Sequence, residues 1–329
     1  MPAPFVSAPA AVSSARTTGT LCGTIAGTGA AVPTRVVAND YFVNELGLDT
    51  SAEWIESKTG IKERRFADPE LPLHLLAADA GRQALQCAGA DADDVRLIVV
   101  ATSSADYRMP STAALVQAQL GARRAAAFDL NAACAGFVYA FDVAVRMLQS
   151  LGGQALVIGA DRGSSLVNRL DRTTSVFFGD AAGAVLLDAD GPGEVAASVL
   201  AAQGTAVPLN VPAHGAMHMD GKAIWNFATR VIPETIISLC RSAGVTPDEL
   251  KLIVPHQANV NILRTAAAAL EMPFDRWAVN IERYGNTVAA SVPVALDEAL
   301  QSGRARRGDH VLLIGFGAGL CWGGQILRL

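Results

Sequence analysis

Cysteine is scarce in this sequence, and its distribution excludes two kinds of stabilisation. The chain has five cysteines among 329 residues. They are widely spaced, odd in number and never paired as CxxC: Cys22, Cys87, Cys134, Cys240 and Cys321. A disulfide framework needs an even set in a small chain, and a zinc site needs clustered ligands. The sequence therefore predicts neither, and each cysteine has to be judged by its surroundings.

Charge is also low. Charged residues make up 17% of the chain, the formal net charge is -5, and Lys and Arg are scattered rather than clustered. Nucleic acids and anionic membrane surfaces are bound by basic patches. The sequence therefore predicts no nucleic-acid partner and no membrane-surface partner.

Long apolar runs are missing as well. Runs such as Leu97 to Ala101 have the length of a strand and stop before the ~18 residues that a membrane span requires. Residues 1–18 are rich in Ala, Pro, Ser and Thr and lack the apolar core of a signal peptide, so we expect a disordered extension and cytoplasmic residence. The hydrophobic share of 51% is ample for a large core.

One sequence pattern occurs twice in the chain. Residues 88–99 (AGADADDVRLIV) match residues 243–254 (AGVTPDELKLIV), 155 positions later. Each copy follows an amphipathic run and ends in an apolar one, which is typical of a helix, a turn and a buried strand. A second match, Leu148–Ser150 with Leu300–Ser302, has an offset of 152 and places Cys134 opposite Asn286. The repeat predicts two α/β halves, at 19–190 and 191–329, related by a pseudo-twofold axis and sharing one site.

Cys134 is the candidate nucleophile. It lies between a predicted strand, Ala125 to Leu130, and a predicted helix, Gly136 to Gln149, and small residues flank it. A thiol at a helix N-terminus is near the positive end of the helix dipole, which favours the thiolate. Free cysteines are more often small buried hydrophobes, and we interpret the other four in that way.

His256 and Asn286 are the candidate partners. His256 directly follows the strand of the second repeat, where open α/β sheets bind ligands, and an imidazole there can donate a hydrogen bond or move a proton. Asn286 begins a helical pattern after Gly285. Its side chain can either cap the helix or use its amide group to polarise a carbonyl. The segment 315–319 (GFGAG) allows the backbone to approach a bound group closely, as an oxyanion hole requires.

These motifs resemble the ketoacyl-acyl-carrier-protein synthase III family of the thiolase fold. The similarity runs from about Gly23 to Leu329 and rests on 132–137 (AACAGF), 256–259 (HQAN), 285–291 (GNTVAAS) and the glycine-rich end of the chain. It implies five layers in the order αβαβα. It also implies a decarboxylative Claisen condensation, in which an acyl group held on Cys134 reacts with a malonyl thioester carried by coenzyme A or by acyl carrier protein.

The same resemblance implies a role for each site residue. His256 and Asn286 would stabilise the enolate, the amides of Cys134 and Ala318 would form the oxyanion hole, and Phe316 would steer the malonyl carboxylate. Coenzyme A would contact the residues that match the family's nucleotide and pantetheine sites: Thr50, Trp54, Lys58, Gly221, Trp225, Ala258 and Asn259. Met109 would close the acyl pocket of a partner subunit in a homodimer. No metal and no resident cofactor is implied.

The chain departs from the family pattern at several positions. Lys58 stands where an Arg is usual, Ser165 lies near the position of a second Arg, and the basic docking residues are replaced by Asn226, Asn261, Ala267 and Ala268. Met109 replaces a phenylalanine, and the segment between Ala202 and His218 is short. These departures leave a second hypothesis open, in which a relative of specialised metabolism moves an unusual acyl or aryl group to another acceptor without chain extension.

Two further alternatives come from other classes. Papain-like hydrolases also have Cys, His and Asn in this chain order, but the sequence lacks their Cys-flanking signature and is internally duplicated. A scaffold without catalytic function is the other, and the intact set of Cys134, His256 and Asn286 disfavours it.

Overall fold

The computed structural model describes residues 21–329, and the extension expected at residues 1–18 lies outside this range. The strands of this part of the chain are β1 Leu21–Cys22, β2 Thr24–Ala31, β3 Arg35–Ala38, β4 Glu63–Phe66, β5 Val95–Ala101, β6 Ala126–Leu130, β7 Gln154–Arg162, β8 Asp180–Asp188, β9 Glu194–Thr205, β10 Leu209–Asn210, β11 His218–Met219, β12 Leu250–Pro255, β13 His310–Gly317 and β14 Gly319–Arg328.

The α-helices in residues 21–329 are α1 Asp40–Asn44, α2 Ala52–Thr59, α3 Leu73–Ala88, α4 Thr112–Leu120, α5 Gly136–Leu151, α6 Gly221–Ala243, α7 Val260–Ala269, α8 Ile281–Tyr284 and α9 Ser291–Gln301. The predicted helix that precedes the second repeat begins at Gly221 rather than Val231. Its first turns are less apolar but are capped by Asp220, whose carboxylate accepts from the Ala223 N–H at 3.0 Å.

Two five-stranded sheets organise the fold. The first has the order β2-β8-β7-β5-β6 and the second β1-β9-β14-β13-β12. Helices α3 and α4 cover the outer face of the first sheet, α6 and α7 cover the outer face of the second, and α5 and α9 pack between the two sheets. The layers are therefore αβαβα, as the thiolase fold requires.

Burial explains why the central strands and the helix α5 are so apolar. Strands β5 and β7 are covered on both faces and are almost continuously apolar. The segment Ala133–Leu151 has a mean hydropathy of 1.2 and is long and apolar enough to cross a membrane, contrary to the expectation that such runs are missing. It is apolar because both sheets pack against it, so it is a core helix rather than a membrane span.

The strand order confirms the duplication. The strands of the first sheet can be numbered one to five in chain order as β2, β5, β6, β7 and β8. Their order across the sheet is then first, fifth, fourth, second and third, and parallel pairing occurs only among the last three. The second sheet repeats first, fifth, fourth, second, and a parallel bridge between Ile253 and Trp277 stands where its third strand would lie. β1 is an addition at the edge beside β9. The division of the chain at residues 190 and 191 stays a prediction.

The predicted register between the halves is wrong by three residues. Each half has a 3-10 turn directly before its middle-layer helix, at Ala133–Ala135 and at Val288–Ala290. Both turns begin with a left-handed residue, Ala133 at φ 48° and Val288 at φ 53°. The offset at the helix starts is thus 155, and Cys134 corresponds to Ala289. The offset of 152 compared the ends of two helices of unequal length, 16 residues in α5 and 11 in α9.

Candidate active site

One cavity of about 630 Å³ contains the three candidate catalytic residues. Cys134, His256 and Asn286 line it together with Phe316 and Ala318, as the convergence of the two halves predicts. The rest of the wall comes from the connections that follow β5, β6, β7, β12 and α8, from the β10–β11 hairpin and from α6, and includes Ser103, Ser104, Asp106, Asn131, Arg162, Phe178, Leu209, Val211, Met217, Met219, Ile224, Ala258 and Val288.

Cys134 is held at the junction of β6 and α5. The Asn131 Oδ1 accepts a hydrogen bond from the Ala133 N–H at 3.1 Å, which stabilises the left-handed turn that presents the thiol. Gly317 passes directly against it, because a Cβ added to Gly317 would stand 2.9 Å from both the N and the Cβ of Cys134. The next residue, Ala318, lines the cavity, and its place in the oxyanion hole stays a prediction.

Burial opposes the helix start, which by itself would favour the thiolate of Cys134. Burial raises the pKa of its thiol to about 12, and the carboxylate of Asp161 raises the pKa further in the same direction. The side chain is only 8% exposed, so desolvation of the anion outweighs the favourable helix terminus. The resting group is a thiol, and its proton has to be removed as the thioester is attacked.

His256 follows β12, as predicted. Its backbone N–H donates a hydrogen bond to the Ile314 carbonyl at 2.7 Å. Its imidazole ring contacts the Phe316 ring edge-on, with centroids 5.0 Å apart. The ring Nδ1 lies 2.7 Å from the Ser291 Oγ. Burial lowers the pKa of His256 to about 3, partly offset by a hydrogen bond with the Val288 carbonyl. The imidazole is therefore neutral at physiological pH.

Asn286 presents its amide NH₂ group to the cavity. Its Oδ1 accepts from the Val288 N–H at 2.9 Å, and its backbone N–H donates to the Phe177 carbonyl at 2.8 Å. Within residues 21–329 no acceptor is found for Nδ2, so this group is available as a hydrogen-bond donor. Gly285 is required before it, since φ is 65° and a Cβ would stand 2.7 Å from the Phe177 oxygen.

Two functional candidates were missed by sequence reasoning. Asn131 is the structural counterpart of Asn286: each amide oxygen accepts from the N–H two residues later, before a left-handed turn. The offset of 155 relates the two residues and was the available signal. Asp161 is the second. It ends β7 fully buried, and nothing in its local sequence distinguishes it from a surface acid.

Asp161 joins the two halves beneath the cavity. Its Oδ1 accepts from the Ser103 N–H and the Ser104 hydroxyl, both at 2.8 Å, and from the Thr102 hydroxyl at 3.2 Å. Its Oδ2 accepts from the Ala289 N–H at 3.1 Å, in the turn that follows Asn286. Burial raises the pKa of Asp161 to about 6 despite these four donors.

Of the residues predicted to contact coenzyme A, only Ala258 lines the cavity. Thr50, Trp54 and Lys58 lie on or just before α2, and Gly221 and Trp225 lie on α6, outside the cavity wall. Trp54 is 38% exposed, and the Arg172 guanidinium lies 5.2 Å from its ring centroid. A base stacking on Trp54 would have to share the ring with that guanidinium.

Asn259 takes a position that the sequence did not indicate, whereas the position of Met109 is compatible with the partner contact expected of it. The Asn259 Nδ2 donates to the Lys58 carbonyl at 2.9 Å, so this side chain ties α7 to α2 rather than lining the cavity. Met109 is 83% exposed on its own chain and does not line the cavity of that chain. Its contact with a partner's pocket stays a prediction. In residues 21–329 no cluster of three or more His, Cys, Asp or Glu is placed to hold a metal.

Comparison with known proteins decides the family. Residues 128–204 match the model of 3-oxoacyl-(acyl-carrier-protein) synthase III, and residues 240–329 match the model of its C-terminal part. The beta-ketoacyl-(acyl-carrier-protein) synthase III of Symbiobacterium thermophilum is 45% identical over 92% of this chain and 97% of its own length. The chain belongs to this family. It is an acyltransferase.

Solved structures agree with this assignment. The 3-oxoacyl-(acyl-carrier-protein) synthase III of Aquifex aeolicus superposes with a TM-score of 0.89 at 41% identity, covering 94% of this chain and 100% of that one. The priming β-ketosynthase of a polyketide pathway superposes with a TM-score of 0.87 at 35% identity, covering 94% and 97%. Both similarities extend over the whole described fold.

Proposed function

We propose that the protein is a starter-type ketosynthase. It transfers an acyl group from coenzyme A to Cys134 and condenses that group with a malonyl thioester, carried by acyl carrier protein or coenzyme A, to give a 3-oxoacyl thioester. The observation that carries this proposal is the convergence of a buried thiol, a neutral imidazole and a free amide NH₂ on one cavity.

In the first half-reaction Cys134 exchanges thioesters. The thiol proton moves to His256 Nε2 as sulfur attacks the acyl carbonyl carbon, and the amides of Cys134 and Ala318 stabilise the oxyanion. The tetrahedral intermediate collapses, the C–S bond to coenzyme A breaks, and the departing thiolate takes the proton from the imidazolium. The enzyme is left as an acyl thioester with neutral His256.

In the second half-reaction the malonyl group loses carbon dioxide. The electron pair of the broken C–C bond forms an enolate, whose oxygen accepts hydrogen bonds from His256 Nε2–H and Asn286 Nδ2–H. Two neutral donors stabilise this charge more strongly than the ground-state carbonyl. The enolate carbon attacks the acyl carbonyl, Cys134 leaves as thiolate, and a proton from water restores the thiol.

The coenzyme A contacts belong to the same proposal. Ala258 at the cavity wall and Trp54 at the surface would lie at the two ends of the bound coenzyme A, with Thr50, Lys58, Gly221, Trp225 and Asn259 beside it. We infer that the enzyme works in the cytoplasm as a homodimer in which Met109 of each subunit reaches the other's acyl pocket.

Intact-mass measurement tests the proposal. Acyl- and aroyl-coenzyme A donors should each be offered to the wild type, to Cys134→Ala and to Cys87→Ser. Cys87 is exposed, contrary to the buried position expected from the sequence, so its thiol serves as the control. We expect an adduct in the wild type and the Cys87 variant only. Adding malonyl-acyl carrier protein or malonyl-coenzyme A should then release carbon dioxide and a 3-oxoacyl product.

Two results would overturn the proposal. An enzyme that gains no adduct with any donor is not a starter ketosynthase. An enzyme that is acylated at Cys134, releases no carbon dioxide from either malonyl thioester and passes its acyl group to another acceptor carries out the extension-free transfer instead.

A further inference from the structure

Ser291 lies behind the catalytic imidazole. Its hydroxyl is 2.7 Å from His256 Nδ1 and 3.1 Å from the Val288 carbonyl oxygen, and it receives the Gln257 N–H at 3.4 Å. Ser291 is 3% exposed and His256 1% exposed. The hydroxyl has one proton and two acceptors within reach, so it can satisfy only one of them at a time.

The position of that proton sets the tautomer of His256. When the hydroxyl donates to Nδ1, the imidazole proton is on Nε2, and Nε2–H is a donor. When the hydroxyl donates to the Val288 carbonyl, Nδ1–H donates to the Ser291 oxygen, and the Nε2 lone pair is a proton acceptor. The partner of one ring nitrogen thus determines the role of the other.

The two half-reactions of the proposed function require opposite tautomers. Removal of the Cys134 proton needs a lone pair on Nε2, and stabilisation of the enolate needs a proton there. We propose that Ser291 is the positioning residue that allows His256 to take both forms. Between the half-reactions water gives a proton to one ring nitrogen and takes a proton from the other, and the Ser291 hydroxyl stabilises each form by turning between Nδ1 and the Val288 carbonyl. This inference rests on the proposed function.

The same turn connects the hydroxyl to the second enolate donor. Val288 is left-handed at φ 53°, a conformation that a β-branched residue rarely adopts, and the Asn286 Oδ1 holds it through the Val288 N–H. The carbonyl that accepts from Ser291 is therefore fixed by the residue whose NH₂ group faces the enolate. In the other half the position of Ser291 is taken by Gly136, which has no side chain, so the device is present on the His256 side alone.

Ser291→Ala separates the two half-reactions. Ser291 is the group that can donate a hydrogen bond to Nδ1, and the Val288 carbonyl behind it can only accept. Without the hydroxyl, the form with an unprotonated Nδ1 loses its donor, and we expect the variant to carry its proton on Nδ1. Acylation of Cys134 should stay within about threefold of the wild type, whereas decarboxylation and condensation should fall by about 100-fold, the usual effect of losing one such donor.

Three measurements are needed. Intact-protein mass gives the rate of acylation in a single turnover, carbon dioxide release from a malonyl thioester gives the rate of decarboxylation, and ¹⁵N NMR gives the protonation of the two imidazole nitrogens. The spectrum should show Nε2 protonated to a substantial extent in the wild type and unprotonated in Ser291→Ala. Ser302→Ala is the matched control, because that hydroxyl donates to the Glu298 carbonyl at the other end of α9. Ser291→Thr, which restores a hydroxyl, should recover condensation.

The outcomes distinguish this inference from the proposed function. A wild-type enzyme that forms no acyl adduct rejects the proposed function. A functional wild type whose Ser291→Ala variant loses both half-reactions in equal proportion, loses neither, or keeps Nε2 protonated rejects the role of Ser291. If Ser291→Thr does not fold, the split in Ser291→Ala and its ¹⁵N spectrum decide the question by themselves.

Discussion

Replacing Asp161 by asparagine should make Cys134 more reactive. At pH 8 the carboxylate, whose pKa is about 6, is ionised and raises the pKa of the neighbouring thiol. Removing its charge lowers that pKa, and each unit changes the thiolate fraction tenfold. We expect alkylation of Cys134 by iodoacetamide to be faster by a factor on the order of ten at pH 8, and nearly unchanged at pH 5, where the wild-type carboxyl is mostly protonated.

The stability of the same variant should depend on pH in a defined direction. The pKa of Asp161 is raised by folding from an ordinary 3.8 to about 6, so its contribution is fully present below 3.8 and is lost as pH rises through 6. That loss, about 2 kcal/mol between pH 4.5 and 7.5, is absent from the variant. Asparagine also turns an NH₂ group toward the Ala289 N–H, which costs about 2 kcal/mol at any pH.

The two effects therefore nearly cancel at neutral pH. Asp161→Asn should cost about 2 kcal/mol at pH 4.5 and lie within about 1 kcal/mol of the wild type at pH 7.5, measured by urea unfolding at fixed protein concentration. Asp180→Asn is the control: this carboxylate is equally buried and accepts from Ala67 and Ser164, away from the thiol. A reactivity gain shared by both variants, or a stability gap that widens with pH, would refute the reasoning.

Two further outcomes follow from the geometry around Cys134. In the wild type, the alkylation rate should rise about tenfold per pH unit from 6.5 to 9.5, because a thiol with a pKa of about 12 stays far from half-ionised there; a plateau below pH 9 would contradict the burial argument. Gly317→Ala should reduce acylation by at least about 100-fold, because the new methyl group would collide with Cys134. Gly204→Ala on β9, where a Cβ meets nothing within 4 Å, should leave acylation unchanged; equal losses in both would show a general folding defect.

The sequence predicted the parts of the site that depend on local order. Cys134 between a strand and a helix, and His256 at the end of a repeated strand, lie where the pattern indicated, because strand ends and helix starts are set by short-range periodicity. The register of the repeat failed for a related reason. The Leu-Gln-Ser match lies near the ends of α5 and α9. Because the two helices differ in length, aligning their ends does not align their starts.

The protonation states could not be predicted in this way. The sequence around Cys134 indicates a helix terminus, but it indicates neither the burial of the thiol nor the approach of Asp161, which is 27 positions away in the chain. The hydrogen bond from the Asn259 amide to the Lys58 carbonyl likewise depends on which elements pack together. Such contacts have no signature in the neighbouring residues.

By itself, the order of residues determined the duplicated α/β halves, the strand-to-helix position of the nucleophile and the family of the enzyme, because periodicity and motifs are properties of the chain. The protonated thiol, the neutral imidazole and the position of Ser291 between its two acceptors are properties of the folded molecule alone. Those properties follow from desolvation and from contacts between distant segments, which exist only once both sheets close on α5 and α9.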